Sequence, residues 1–234
     1  MAQAIRLARQ GVYSTHPNPN VGCVIVAQGN VVGCGWHQQA GGAHAEIHAL
    51  REAGEKACNA DVYLTLEPCS YHGRTPPCAD ALVDAGVRRV VVAMQDPNPL
   101  VAGRGLGRLR QAGIAVETGL METQARATNP GFVSRMQRGR PWVTIKLASS
   151  LDGRTAMASG ESKWISGDAA RRDVQRLRAR SSAIVTGIGT VIADDPSMNV
   201  RLDALQLNGV EPVRQPLRVV MDTRLRMPVQ AKML

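Results

Sequence analysis

The sequence predicts an α/β protein in two consecutive parts, and three observations carry that prediction. Short apolar, β-branched runs alternate with helical stretches along the first 137 residues, the pattern of a largely buried sheet covered by helices. Arg138-Gly139-Arg140-Pro141 then interrupts the pattern and sets a boundary between residues 1–140 and 141–234. A second alternation follows, over only about 94 residues, which is thin for a domain of this kind.

The elements follow in order. Met1 to Ala8 is helical, with Ile5 and Ala8 on one apolar face. Val21–Val26 and Val31–Trp36 are strands of a hairpin turning at Gln28-Gly29-Asn30. Ala43 to Glu55 is a helix, and Val62–Leu66 is a strand running into Glu67-Pro68-Cys69. A Gly- and Pro-rich loop, Ser70 to Pro77, precedes a helix over Cys78–Ala85. Val87–Met94 is a strand, Gly105–Ala112 a helix, Ile114–Val116 a short strand, and Glu122–Gln137 one long helix. Beyond the boundary the pattern gives strand Trp142–Ala148, helix Asp168–Arg180, and strands Ala183–Thr186 and Leu217–Asp222.

Composition narrows the class. Hydrophobic residues make up 44% and charged residues 20%, enough to bury a core. No run approaches the roughly 20 apolar residues of a membrane span, and the N-terminus lacks a signal-peptide core, so a soluble cytoplasmic protein is expected. Five cysteines without a regular framework argue against a disulfide scaffold. Cys23 and Cys34 read as small core residues, and Cys58 carries no role. The net charge of +9 is uneven, because residues 126–180 hold 12 Lys/Arg against 4 Asp/Glu. With aromatics at 3% there is little to stack bases on, and anionic small molecules explain the charge as well as a nucleic acid would.

The chemistry concentrates in His44-Ala45-Glu46, Pro68-Cys69 and Pro76-Pro77-Cys78. His44, Cys69 and Cys78 supply three donors of the type zinc takes tetrahedrally, and three protein ligands leave a fourth position open, as in a catalytic site. Glu46 is available as the acid/base beside the metal. His44 and Cys78 both open helices, whose positive ends favour a thiolate and an acidified water. The zinc-deaminase signature is H-x-E followed by P-C-x-x-C, and here eight residues separate the cysteines. A metalloprotease helix built on His44 and His48 is disfavoured, because Ala45 stands where its glutamate belongs. A structural zinc with His72 as fourth ligand stays open.

Longer stretches around these ligands carry a specific likeness. His16-Pro17-Asn18-Pro19-Asn20-Val21-Gly22, His44 to Leu50 and Glu67 to Cys78 resemble the bifunctional riboflavin-biosynthesis deaminase–reductase family. Lys146 to Arg154 and Gly189 to Pro196 are similar to the start of that family's reductase part. The resemblance implies a cytidine-deaminase-like three-layer sandwich followed by a partial dihydrofolate-reductase-like domain. It accounts for the longer loop between the cysteines. It implies zinc-dependent hydrolysis of 2,5-diamino-6-(5-phosphoribosylamino)pyrimidin-4-one to 5-amino-6-(5-phosphoribosylamino)uracil, then reduction of the ribosyl chain with NADPH.

By the same likeness Asn18, His37 and Arg74 hold the deaminase substrate. Ala148, Trp164, Thr190 and Asp194 match nucleotide contacts, and Ser162, Arg178, Met198 and Arg201 match substrate contacts. Each has a plainer reading: a turn residue for Asn18, loop or helix surface charges for the arginines, and a core anchor for Trp164. Gly187-Ile188-Gly189 is a weak phosphate-loop cue, and no G-x-G-x-x-G follows it. The family's reductase continues past the equivalent of Leu234, so a working deaminase with a weak or absent reductase is expected. The expected partner is a phosphorylated pyrimidine, with no nucleic acid or membrane, and self-association is left open. The competing functions are a nucleoside or tRNA-base deaminase and a zinc-stabilised nucleic-acid-binding module.

Overall fold

A computed structural model describes residues 1–71 and 76–234. The chain divides into two compact units, Met1–Val143 and Thr144–Leu234.

In the first unit, helix α1 (Ala2–Ala8) and a 3-10 turn (Arg9–Tyr13) lead to hairpin strands β1 (Gly22–Ala27) and β2 (Asn30–Trp36). Helix α2 (Ala45–Ala53) and strand β3 (Asp61–Leu64) follow, then α3 (Cys78–Asp84), β4 (Arg89–Val92), α4 (Arg104–Gln111) and β5 (Ala115–Thr118). The five strands form one sheet in the order β2-β1-β3-β4-β5. β1 runs antiparallel to both its neighbours, while β3, β4 and β5 are parallel and joined by helical crossovers. Val62, Leu64, Val90 and Val92 are fully buried, as expected of central strands covered on both faces.

Glycines set how closely helices approach the sheet. A Cβ on Gly35 would lie 2.1 Å from the Ala45 carbonyl oxygen, and one on Gly33 would lie 2.2 Å from that of Ala49. The α2 backbone therefore rests directly against β2 at these two glycines. Gly22 does the same for α1, meeting the Ala4 carbonyl oxygen at 2.0 Å. Cys23 pairs with Gly35 across the hairpin while Gly22 pairs with Trp36, so α2 and α1 cover opposite faces of the sheet. The result is a three-layer sandwich with its main core between the sheet and α2, α3 and α4.

Two expectations are corrected. The helix expected over Glu122–Gln137 is two helices, α5 (Glu122–Arg126) and α6 (Pro130–Arg138). Pro130 cannot donate to a continuing helix and restricts Asn129, so the chain turns there. The strand expected over Trp142–Ala148 is not formed. Val143, Ile145 and Leu147 are 73%, 79% and 82% exposed, and an apolar run becomes a strand only when another strand pairs with its backbone.

The second unit holds α7 (Asp168–Arg180), β6 (Ala183–Gly187), α8 (Ile188–Asp194) and β7 (Leu217–Met221). β6 and β7 pair in parallel, with Ala183 opposite Leu217. A small cluster of Ile188, Val191, Ala231 and Met233 packs beneath α8. Helix α8 is not anticipated by the alternation. Gly187-Ile188-Gly189 is the turn from β6 into it, in place of the weak phosphate-loop cue.

Candidate active site

Three elements deliver three donors to one point. His44 is the N-cap of α2, its extended backbone turning the imidazole back over the start of the helix. Cys69 follows β3, and Cys78 is the first residue of α3. The His44 Nδ1 lies 3.2 Å from the Cys78 Sγ and 3.6 Å from the Cys69 Sγ. The Cys78 backbone N–H donates to the Cys69 sulfur at 3.3 Å. All three ligand atoms lie within 4.8 Å of one another. Two thiols and an imidazole gathered this closely are the donor set of a tetrahedral zinc with one position left open, so these residues fit the metal.

The electrostatics are those of groups competing for few protons. The S–H of Cys78 donates to Cys69 and draws the Cys69 thiol well below its ordinary value, helped by His44. The same bond pushes Cys78 up, and burial adds to that. The bond to Cys69 also raises His44 against the effect of its burial.

Glu46 lies in the first turn of α2 and is 3% exposed. Burial pushes its carboxyl up to about 7, against the pull of His44, and it hydrogen-bonds to the Cys78 thiol. A buried carboxyl with no cationic side chain hydrogen-bonded to it among the described residues, beside three metal-type donors, has the surroundings of a proton carrier.

His37 and Asn18 meet beside this cluster. The His37 Nδ1 lies 3.1 Å from the Ala43 carbonyl oxygen, which can only accept, so Nδ1 carries the proton. Burial lowers the His37 pKa, so the ring is neutral and its Nε2 is an acceptor. The Asn18 Nδ2 donates to it at 3.0 Å, which turns the Asn18 oxygen away from the ring as an acceptor. The His37 and His44 rings stand edge to face with centroids 5.4 Å apart. Arg74 and His72 fall outside the described residues.

Sequence reasoning missed Glu67. It is 4% exposed, and its carboxylate takes four backbone N–H groups, from Asp96, Gly103, Gly105 and Leu106, at 2.9–3.3 Å. It thereby ties Pro68-Cys69 to the N-terminus of α4. A Cβ on Gly105 would lie 2.0 Å from the Pro68 carbonyl oxygen. The visible signal is an acidic residue immediately before Pro-Cys at a strand end, where a carboxylate suits a helix N-terminus.

In the second unit, Arg178 and Arg201 come close together, while Met198 packs against the small cluster beneath α8. The Arg178 Nη1 donates to the Asn199 carbonyl oxygen at 3.0 Å. The Arg201 backbone N–H donates to the Gln175 Oε1 at 3.0 Å. Burial lowers the Arg178 pKa, and the nearby Arg201 lowers it further. Neither arginine has an acidic partner among the described residues. Trp164 is 71% exposed, not a core anchor, and the Arg171 guanidinium lies over it, 4.5 Å from the ring centroid. Thr190 and Asp194 are exposed on α8, while Ala148 and Ser162 are half-buried in loops. Among the described residues no hydrogen bond or ring contact joins these four to the Arg178 cluster.

Comparison with known proteins gives these sites a context. Residues 1–94 match the family described as the cytidine and deoxycytidylate deaminase zinc-binding region. Residues 141–234 match the RibD C-terminal domain. The riboflavin biosynthesis protein RibD of Escherichia coli is 61% identical over 231 residues, covering 97% of this chain.

The chain belongs to the RibD family.

Among solved structures, Acinetobacter baumannii RibD is 57% identical and superposes over 100% of this chain with a TM-score of 0.92. A diaminohydroxyphosphoribosylaminopyrimidine deaminase/5-amino-6-(5-phosphoribosylamino)uracil reductase from Thermotoga maritima superposes over 96% of it with a TM-score of 0.87 at 39% identity. The chain spans 63% of the length of the Escherichia coli relative, 65% of the Acinetobacter chain and 62% of the Thermotoga chain. Among the described residues, no helix is long and apolar enough to cross a membrane.

Proposed function

We propose that the unit Met1–Val143 hydrolyses the 2-amino group of 2,5-diamino-6-(5-phosphoribosylamino)pyrimidin-4-one in riboflavin biosynthesis. The observation that carries this reading is the convergence of His44, Cys69 and Cys78 beside a buried Glu46. His44, Cys69 and Cys78 would hold zinc, which when bound supplies the Lewis acidity that acidifies a water.

The remaining work falls to side chains. Glu46 takes one proton of the attacking water and passes it to the ring nitrogen; it then takes the hydroxyl proton of the tetrahedral substrate adduct and gives it to the departing amine, so that the carbonyl forms as ammonia leaves. Its burial keeps bulk water from taking over these transfers. Neutral His37, held through Nδ1 by the Ala43 carbonyl, fixes Asn18, whose oxygen can accept from an N–H on the ring edge. Arg74 is assigned to the phosphate or a ring carbonyl by likeness to the family.

The unit Thr144–Leu234 is assigned to the NADPH-dependent reduction of the ribosyl chain. Arg178 and Arg201, close together and without acidic partners among the described residues, suit a substrate phosphate, alongside Met198 and Ser162. Trp164, whose exposed ring face is braced by Arg171, suits a flat nucleotide group, with Ala148, Thr190 and Asp194 as further contacts. NADPH, when bound, supplies the reducing equivalents.

The test is release of ammonia from the diaminopyrimidine phosphate by the zinc-loaded chain. Steady release that stops on chelation is expected. Salt-dependent RNA binding without turnover would overturn the reading in favour of a nucleic-acid-binding module.

A further inference from the structure

The break between α5 and α6 lies outside the zinc-binding region match, yet its Asn129 side chain reaches the loop that carries Asn18 and Asn20. Asn129 is the N-cap of α6, a position where asparagine ordinarily accepts a bond from its own helix. Here its side chain makes no such bond. It is 6% exposed and reaches instead to the main chain of Asn20. The Oδ1 accepts from the Asn20 N–H at 2.7 Å, and the Nδ2 donates to the Asn20 carbonyl oxygen at 2.8 Å. The Asn20 Nδ2 returns a bond to the Thr128 carbonyl oxygen at 2.9 Å, and the Thr15 hydroxyl donates to the Asn20 Oδ1 at 2.7 Å.

Asn20 is thus clamped on both backbone groups by a residue 109 positions away. Pro19 alone separates it from Asn18, and proline's fixed φ transmits position along the chain. Asn18 in turn bonds His37, whose backbone N–H donates to the Val21 carbonyl oxygen at 2.9 Å.

We propose that Asn129 is a positioning residue of the deamination site, locking the Asn18–Asn20 loop so that Asn18 and His37 meet the pyrimidine edge in one fixed arrangement. The proposal rests on the deaminase reading above.

The test uses the zinc-loaded 234-residue chain and Asn129→Asp. The variant keeps the size and one acceptor, but replaces the amide donor with a second oxygen facing the Asn20 carbonyl. KM for the diaminopyrimidine phosphate should rise about tenfold while kcat stays within about threefold, the pattern of lost binding without lost chemistry. Bound zinc should be unchanged. In 15N-labelled protein without substrate, the His37 Nε2 resonance should move as its bond from Asn18 weakens. In an Asn18→Ala background the same substitution should leave KM unaltered, because the two residues act through one loop. Thr15→Val, which removes only the hydroxyl on Asn20, should move the His37 resonance and KM the same way by less, and it decides the matter if Asn129→Asp does not fold. An unmoved His37 resonance, an unchanged KM, an undiminished effect in the Asn18→Ala background, or a joint fall of kcat and zinc would overturn the proposal. A parent chain that releases no ammonia would instead sink the deaminase reading, and the His37 resonance would still judge the clamp.

Discussion

Glu46 and Cys78 touch, yet they hold different jobs, and substitution separates them. Glu46→Gln keeps the shape and the metal donors but removes the proton carrier. Turnover should fall by roughly 10²–10⁴-fold, the usual contribution of a positioned acid/base, with zinc retained on metal analysis. Unchanged turnover would remove Glu46 from its role. Cys78→Ala deletes one of three donors and should lose zinc and activity together, whereas full zinc occupancy would point to another ligand. Zinc and its acid/base are legible in the sequence because H-x-E and two Pro-preceded cysteines encode them locally. The partner that fixes the His37 tautomer is a backbone carbonyl, that of Ala43, which has no sequence signature. The Asn20–Asn129 pair is equally silent, since its two members lie 109 positions apart.

Elements place the donors only if they pack closely. Helix α2, which begins just after its N-cap His44 and carries Glu46, brings its backbone directly against Gly33 and Gly35 of β2. Gly35→Ala would put a Cβ 2.1 Å from the Ala45 carbonyl oxygen, so α2 must shift. A loss of roughly 1–3 kcal/mol in urea-unfolding stability is expected, as for other overpacked sites, together with weaker zinc retention. An unaltered midpoint would mean that the helix has room to move.

The junction between β3 and β4 carries a pH dependence. Burial opposes ionisation of Asp61, but hydrogen bonds from Arg89 and Arg88 outweigh it and hold the carboxyl below its ordinary value of 3.8. Its contribution to stability is present above that value and is lost as pH falls through the lower folded one. Acid unfolding of Asp61→Asn should therefore show a shallower loss of stability below pH 3.8 than the parent. Identical acid profiles would remove Asp61 from the account. The strands and short helices were readable because period-2 and period-3.6 patterns are local. The 142–148 run failed as a strand for lack of a pairing partner, which no local pattern reports.

At the scale of the whole chain, the two compact units predict separable responses to metal. The proposed zinc ligands His44, Cys69 and Cys78 all lie in Met1–Val143, so chelation should lower only the calorimetric transition belonging to that unit. The Thr144–Leu234 transition should stay in place, and a matched shift of both would contradict this division. The net charge of +9, with its excess over residues 126–180, is in keeping with the anionic substrate proposed above.

The account stands on the three-donor centre, and zinc-edge X-ray absorption of the purified chain tests it most directly. Two sulfur neighbours at about 2.3 Å and one imidazole nitrogen at about 2.0 Å, with a single light solvent atom completing four, are expected. A second imidazole in the shell, a different sulfur count, or no bound zinc would contradict it.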